Sequence, residues 1–230
     1  MRILAIDTSS ELCSVALLDN KEVYSRYESY SREHAQLILP LIQNILNDRC
    51  IELQQLDAIA VSRGPGSFTG LRLGISVAKG ISWGTNLSII GISTLAIFAE
   101  QAFNMFGAKR VLVAIDAHMG ELYWAEYQRV KQSCWDGENT EQVLNPQEIK
   151  SRITKLSGHW CIVGSGWKIY HDLFEGFLNL IPVHGGRPLA QDMLPLAMAA
   201  LKEGKVVSAD CIEPCYLRKK LIWKKLPGRA

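Results

Sequence analysis

The sequence of 230 residues has no Cys-x-x-Cys pair, and its six cysteines (Cys13, Cys50, Cys134, Cys161, Cys211 and Cys215) are scattered. With Asp7 and Glu11 interrupting any signal-like apolar stretch, that scatter argues for free thiols rather than a disulfide framework. The five histidines (His34, His118, His159, His171 and His184) include no pair at i,i+3 or i,i+4, and none stands at zinc spacing from a cysteine. A catalytic or structural metal is therefore not expected. Long hydrophobic runs are missing too. The longest charge-free stretch, residues 80–99, is broken by three Gly, three Ser, two Thr and an Asn, and reads as turn, strand and helix start rather than a membrane span. The one G-x-S-x-G, Gly80-Ile81-Ser82-Trp83-Gly84, falls at the end of an apolar helical run rather than on a strand-to-helix elbow, and Gly164-Ser165-Gly166 reads as a turn, so a Ser–His–Asp hydrolase rests only on the presence of the three residue types. A soluble cytoplasmic protein without membrane contact is the expectation. Acids are absent after Glu213, whereas Arg218, Lys219, Lys220, Lys224, Lys225 and Arg229 follow. The rest of the chain then carries a formal charge of about −4 within an overall +2. Such a basic tail suits phosphates, although on charge alone a solvated terminus is the plainer reading.

What is present is ordinary globular material, 48% hydrophobic and 21% charged, with a mean hydropathy of +0.04. At this length folding buries roughly 70–75% of the unfolded surface, in one or two domains. Residues 2–7, 12–18 and 22–30 read as three strands separated by Thr8-Ser9-Ser10 and Asp19-Asn20, an antiparallel meander. A helix over 32–48 follows, with Ser31 as candidate N-cap and Pro40 inside it. Its apolar residues do not keep to one stripe, so it is expected to be buried on more than one side, by its own sheet or also by a partner. A strand over 56–62, a helix over 68–84, a strand over 88–92 and a helix from Ser93 to Phe106 complete an α/β layer pattern. Arg110–Asp116 (RVLVAID) then echoes Arg2–Asp7 (RILAID), each with a turn, an acid (Glu121 or Glu11) and a further strand behind it. A two-fold repeat is expected: residues 1–106, a degenerate copy over 107–218 and a basic tail over 219–230. In the second copy a strand over 161–163 and a helix over 189–202 are legible, and 131–139 reads as a polar loop or hairpin tip.

Two stretches could carry chemistry. Asp7, Thr8 and Ser9 place a carboxylate and hydroxyls at the end of a strand, which suits a metal-bound phosphate held on backbone N–H groups, or simply a turn. The echo at Asp116–Gly120 lacks hydroxyls, so a two-sided phosphate clamp is doubtful. Gly64, Pro65, Gly66, Ser67, Phe68, Thr69, Gly70 and Arg72 resemble a phosphate loop ahead of a helix. Yet the G-K-[ST] ending and the third glycine of G-x-G-x-x-G are missing, and a rigid strand-to-helix turn is the favoured reading.

The segments ILAIDTSSELCSVAL, RGPGSFTGLRLGISVAKGIS, GISTLA, IDAHMGELYWA and PCYLR, in this order, resemble the TsaB (YeaZ) family over about Ile3 to Arg218. The resemblance implies an actin-like, Hsp70-like ATPase (ASKHA) fold of two similar βββαβα subdomains, the second degenerate. It implies a role in forming N6-threonylcarbamoyladenosine at position 37 of tRNAs that read codons beginning with A. It also implies a non-catalytic subunit that binds the paralogue TsaD, with TsaE and a TsaC-type synthase completing the pathway. TsaD-type proteins carry His-x-x-x-His just after the region matching Gly91–Ala96, whereas Ile92–Met105 contains no histidine here. No cofactor of its own is then expected, with ATP, ADP and Mg²⁺ entering only through the partner complex. The competing expectation is an active nucleotide-dependent phosphotransferase or ATPase of the same fold anchored on Asp7. Family members self-associate through their first helices, which implies an interface of Leu37, Ile38, Leu41, Ile45, Leu71, Ile75 and Ala78. Charged residues at Leu41 or Ile75 are then expected to break association without unfolding. The basic Lys219, Lys220, Lys224 and Lys225 around Trp223 are candidate tRNA contacts. His118 stands where the family commonly has Arg.

Overall fold

The computed structural model describes residues 1–29, 33–131, 134–177, 179–183 and 187–218. The meander is present as β1 (Arg2–Asp7), β2 (Cys13–Asp19) and β3 (Glu22–Glu28), and helix α1 (His34–Asn47) follows. Ser31 lies outside the described residues. Glu33 precedes the helix without a side-chain cap bond, and the helix runs on through Pro40. Then come β4 (Ala58–Gly64), α2 (Phe68–Thr85), β5 (Ser88–Ser93) and α3 (Thr94–Phe106). Ser93 caps α3 by accepting from Leu95 N–H, and Gly107 closes it at φ +69°, as a helix end in a left-handed residue requires.

The second half repeats this order with β6 (Arg110–Asp116), β7 (Leu122–Lys131), β8 (Cys134–Asp136), β9 (Gln142–Leu144), α4 (Pro146–Ile153), β10 (Trp160–Val163), α5 (Gly166–Ile169), α6 (His171–Phe174), β11 (Leu180–Pro182) and α7 (Ala190–Lys202). The first sheet runs β3-β2-β1-β4-β5 and the second β8-β7-β6-β10-β11, with β9 added to β7. In each, a central strand pairs antiparallel with the next strand and parallel with a later one. The echo between RILAID and RVLVAID is therefore the echo of two central strands. Within 131–139, Cys134–Asp136 form β8 on the edge of β7.

Alternation along β1 sorts its side chains to two cores. Leu4 and Ile6 face α1 and α2, together with Val15, Leu17, Ile59 and Val61. Ile3 and Ala5 face α7, with Ala16, Ala58, Ala60, Met193 and Ala197. The last helix of each half crosses over. α3 leaves the first sheet and lays Leu95, Phe98, Ala99 and Ala102 on Val111, Val113 and Tyr127 of the second, while α7 leaves the second sheet and covers the first. The helix over 190–202, which the sequence division puts with 107–218, thus packs on the N-terminal sheet. The two helices also bond to each other: Gln101 Nε2 donates to Asp192 Oδ2 at 2.8 Å and Asn104 Nδ2 to Oδ1 at 3.4 Å. The outer face of the second sheet is covered by α4, with Ile149 and Ile153 against Leu112, Trp124 and Trp160.

Candidate functional site

Both strand-to-strand turns of interest are built at the carboxyl ends of the central strands. Asp7, Thr8 and Ser9 are 0%, 0% and 4% exposed. Asp7 Oδ1 accepts from Ser9 N–H at 3.0 Å, while its Oδ2 has no partner of hydrogen-bonding geometry, nor do Ser9 Oγ, Ser62 Oγ and His34 Nε2. Burial raises the carboxyl of Asp7 above the usual range, opposed by the nearby Ser62 and Ser9 hydroxyls and by His34.

The motif turn explains that burial. The Gly64–Pro65 peptide is cis, and the chain enters α2 at Ser67, whose Oγ accepts from Gly70 N–H at 3.2 Å. Ser67 N–H donates to Ser9 O at 2.8 Å, and Thr8 Oγ1 donates to Gly70 O at 2.7 Å. A Cβ on Gly66 would stand 2.4 Å from Ser9 O, and one on Gly70 would stand 2.0 Å from Thr8 O. Glycine is needed at both positions because the motif turn lies directly on the Asp7–Ser9 turn, backbone against backbone.

The second turn is open and strained instead. His118, Met119 and Gly120 are all left-handed, at φ +59°, +59° and +81°, a conformation costly for side chains other than glycine. Asp116 Oδ1 accepts from His118 N–H at 2.9 Å, and His118 Nδ1 lies 3.2 Å from Asp116 Oδ2. The Arg218 guanidinium holds the turn from outside, donating to Ala117 O at 3.0 Å, His118 O at 3.2 Å and Glu121 Oε2 at 2.5 Å.

Six of the seven residues proposed for a helix interface point the other way. Ile38, Leu41, Ile45, Leu71, Ile75 and Ala78 are buried inside the chain, and Leu37 is half-buried against the same core. The broad apolar content of α1 covers β1, β2 and α2, so charge at Leu41 or Ile75 is expected to unfold the protein. Among the large apolar side chains that these helices turn outward are Leu39, 57% exposed, and Trp83, 64% exposed. Between them runs a groove of about 530 Å³ lined by Leu39, Leu53, Val77, Gly80, Ile81 and Gly84. Lys219, Lys220, Trp223, Lys224 and Lys225 lie outside the described residues. Among the described residues no three His, Cys, Asp or Glu side chains form a metal-sized group, and no helix is long and apolar enough to cross a membrane.

Sequence reasoning missed three features. The segment Glu213–Arg218 is a strap: Cys215 N–H donates to Arg63 O at 2.6 Å before Arg218 reaches the second turn. Tyr216 on that strap meets Phe68 of the motif turn, ring centroids 5.8 Å apart. A buried pair links α3 to β7, with Arg129 Nη1 2.7 Å from Glu100 Oε2, which also accepts from Trp135 Nε1 at 2.6 Å. The motif PCYLR was visible, but not where it docks.

A family model described as TsaD, tRNA N6-adenosine threonylcarbamoyltransferase, matches residues 20–174. The Escherichia coli (strain K12) protein named tRNA threonylcarbamoyladenosine biosynthesis protein TsaB is 50% identical over 230 residues, the whole of both chains. The chain belongs to the TsaB family. The fold agrees: YeaZ from Pseudomonas aeruginosa superposes with a TM-score of 0.83 at 37% identity, over 94% of this chain and 99% of that one. A ROK hexokinase from Thermus thermophilus, 10% identical, superposes at 0.51 over 87% of this chain and 100% of its own, a likeness of fold alone. Two similar halves with exchanged final helices are thus the ASKHA-type architecture.

Proposed function

We propose that this chain acts in tRNA threonylcarbamoyladenosine biosynthesis as a non-catalytic subunit that binds and activates a TsaD-type transferase. The full-length identity to proteins named for that pathway supports the first part. The non-catalytic part rests on one observation: the Asp7–Ser9 turn is covered by the chain's own Gly66–Gly70 turn, with no room for a Cβ between them. An ATPase of this fold would need that turn open to phosphate, so the phosphotransferase reading is disfavoured. Cofactor needs, ATP and Mg²⁺ included, then belong to the assembled complex, in which tRNA is modified. TsaE and a TsaC-type synthase are the further members of the pathway on this reading.

The surface for a partner, or for a second copy in the free protein, is the outward groove between α1 and α2. Gly80 and Gly84 leave nothing within 4 Å of a would-be Cβ there, so a partner helix can approach closely. The test is a drop-out reconstitution with synthase, TsaD, TsaE, ATP, threonine, bicarbonate and unmodified tRNA. Modification should collapse without this chain and return on its addition. Modification indifferent to it would refute the reading, and ATP turnover by the isolated chain lost in Asp7→Ala would reinstate the alternative.

A further inference from the structure

Phe68, Arg72 and Tyr216 form a surface cluster that neither the core nor the groove uses. Phe68 is 55% exposed and Tyr216 46%. Their rings are tilted by 34°, and the Arg72 guanidinium carbon sits 3.7 Å from the Phe68 centroid and 5.9 Å from that of Tyr216. Arg72 Nε donates to Tyr216 Oη at 3.0 Å. Arg72 is exposed and has no acidic partner among the described residues. Phe68 stands at the first position of α2, and Tyr216 is fixed between the Cys215–Arg63 bond and the Arg218 clasp. The cluster is therefore held from three separate segments and costs little ordering to use. Met119, 69% exposed, sits at the tip of the turn that Arg218 holds.

Exposed aromatic rings beside a guanidinium without an acidic partner match a ligand that is both planar and anionic. Bases stack on aromatic faces and on arginine planes, and phosphates satisfy the charge. An acidic peptide would match the charge and leave the rings unstacked. An apolar protein surface would match the rings and bury Arg72 without a counter-charge. The strap also leads into the stretch of six bases and no acids from Arg218 onward, the charge complement of a polyanion.

We propose that Phe68, Arg72 and Tyr216 are a stacking platform for unpaired bases of an RNA loop. The platform rests on the reading of this chain as a participant in tRNA modification and names the surface that would meet the RNA. Fluorescence anisotropy of a labelled anticodon stem-loop with the full chain tests it. Phe68→Ala and Tyr216→Ala should each weaken binding by roughly five- to a hundred-fold, the loss of one stack. The salt dependence should stay the same, because no phosphate contact is removed, and Tyr216→Phe should bind as the unaltered chain. Thiouridine-substituted loop RNA, photo-crosslinked to the unaltered chain, should map to peptides containing Phe68 or Tyr216. Absent binding by the unaltered chain, full affinity in both alanine variants with native circular dichroism, or crosslinks confined elsewhere would each overturn the platform. So would variants that keep RNA affinity but no longer co-elute with TsaD, which would make the cluster a protein-docking site. Modification that needs the chain, together with a Phe68→Ala/Tyr216→Ala double variant of full RNA affinity, removes the platform alone. Modification that does not need the chain removes the functional reading.

Discussion

Gly70→Ala probes the contact on which the functional reading depends. The new Cβ would stand 2.0 Å from the backbone oxygen of Thr8 and 3.2 Å from the Ser67 side chain. Such overpacking costs about 1–3 kcal/mol. Any shift that relieves it also weakens the 2.7 Å bond from Thr8 Oγ1 to Gly70 O, about 1 kcal/mol more. Alanine's helix preference returns about 1 kcal/mol. The net loss is about 1–3 kcal/mol, a fall in melting temperature of about 2–12 °C for a chain of this size. Gly84→Ala is the control, because nothing lies within 4 Å of its Cβ, and it should gain about 1 kcal/mol from helix propensity. Thr8→Ala should not rescue Gly70→Ala, since the collision is with backbone. Thermal unfolding followed by circular dichroism reads all three. A Gly70→Ala protein as stable as Gly84→Ala would mean that the two turns are not in contact, and the Asp7–Ser9 turn would then be open to phosphate.

Arg129→Met leaves Glu100, 1% exposed, without its cation; breaking such a buried pair costs about 3–5 kcal/mol, measurable as a lowered urea midpoint. Burial raises the Asp192 carboxyl from 3.8 to about 6, so the folded protein keeps a proton that the unfolded chain releases. The stability from that proton is present below about pH 3.8 and is lost as the pH rises toward 6. Asp192→Asn should flatten that decline in a pH series of melting temperatures, and an identical series in both proteins would refute the assignment. Leu39→Glu should keep the native circular dichroism and lose co-elution with a TsaD partner, whereas Leu41→Glu should unfold. Retained co-elution of Leu39→Glu would move the interface off the groove.

The architecture was largely legible. The meander, the α/β alternation and the RILAID–RVLVAID echo follow from period-2 and helical patterning, and each strand the sequence read in the first half is present within a residue or two. Ser93 announced its helix because its hydroxyl caps locally. The small elements after 131 were harder, because β8, β9 and β11 have three residues each, too short to show a period. Among the candidate site residues, the glycines of the motif turn were correctly read as marking close backbone approach, but their neighbour could not be named.

Composition, pattern and motif thus determined what each segment is: which strands are central, where helices begin, that the chain repeats, and which family it resembles. Tertiary structure decided what each segment touches. Ile38, Leu41 and Ile75 are apolar whether they face a sheet or a partner, and only the packing of α1 and α2 on β1 put them inside. Asp7-Thr8-Ser9 is the same tripeptide open or covered, and only the approach of Gly66–Gly70, some sixty residues on, covers it. Phe68 and Tyr216 lie 148 positions apart, and the strap that brings them together is held by the backbone carbonyls of Arg63, Ala117 and His118 and by the Glu121 carboxylate. Local patterning records each residue's own preference for water or apolar surroundings. It does not record which of several distant segments supplies them.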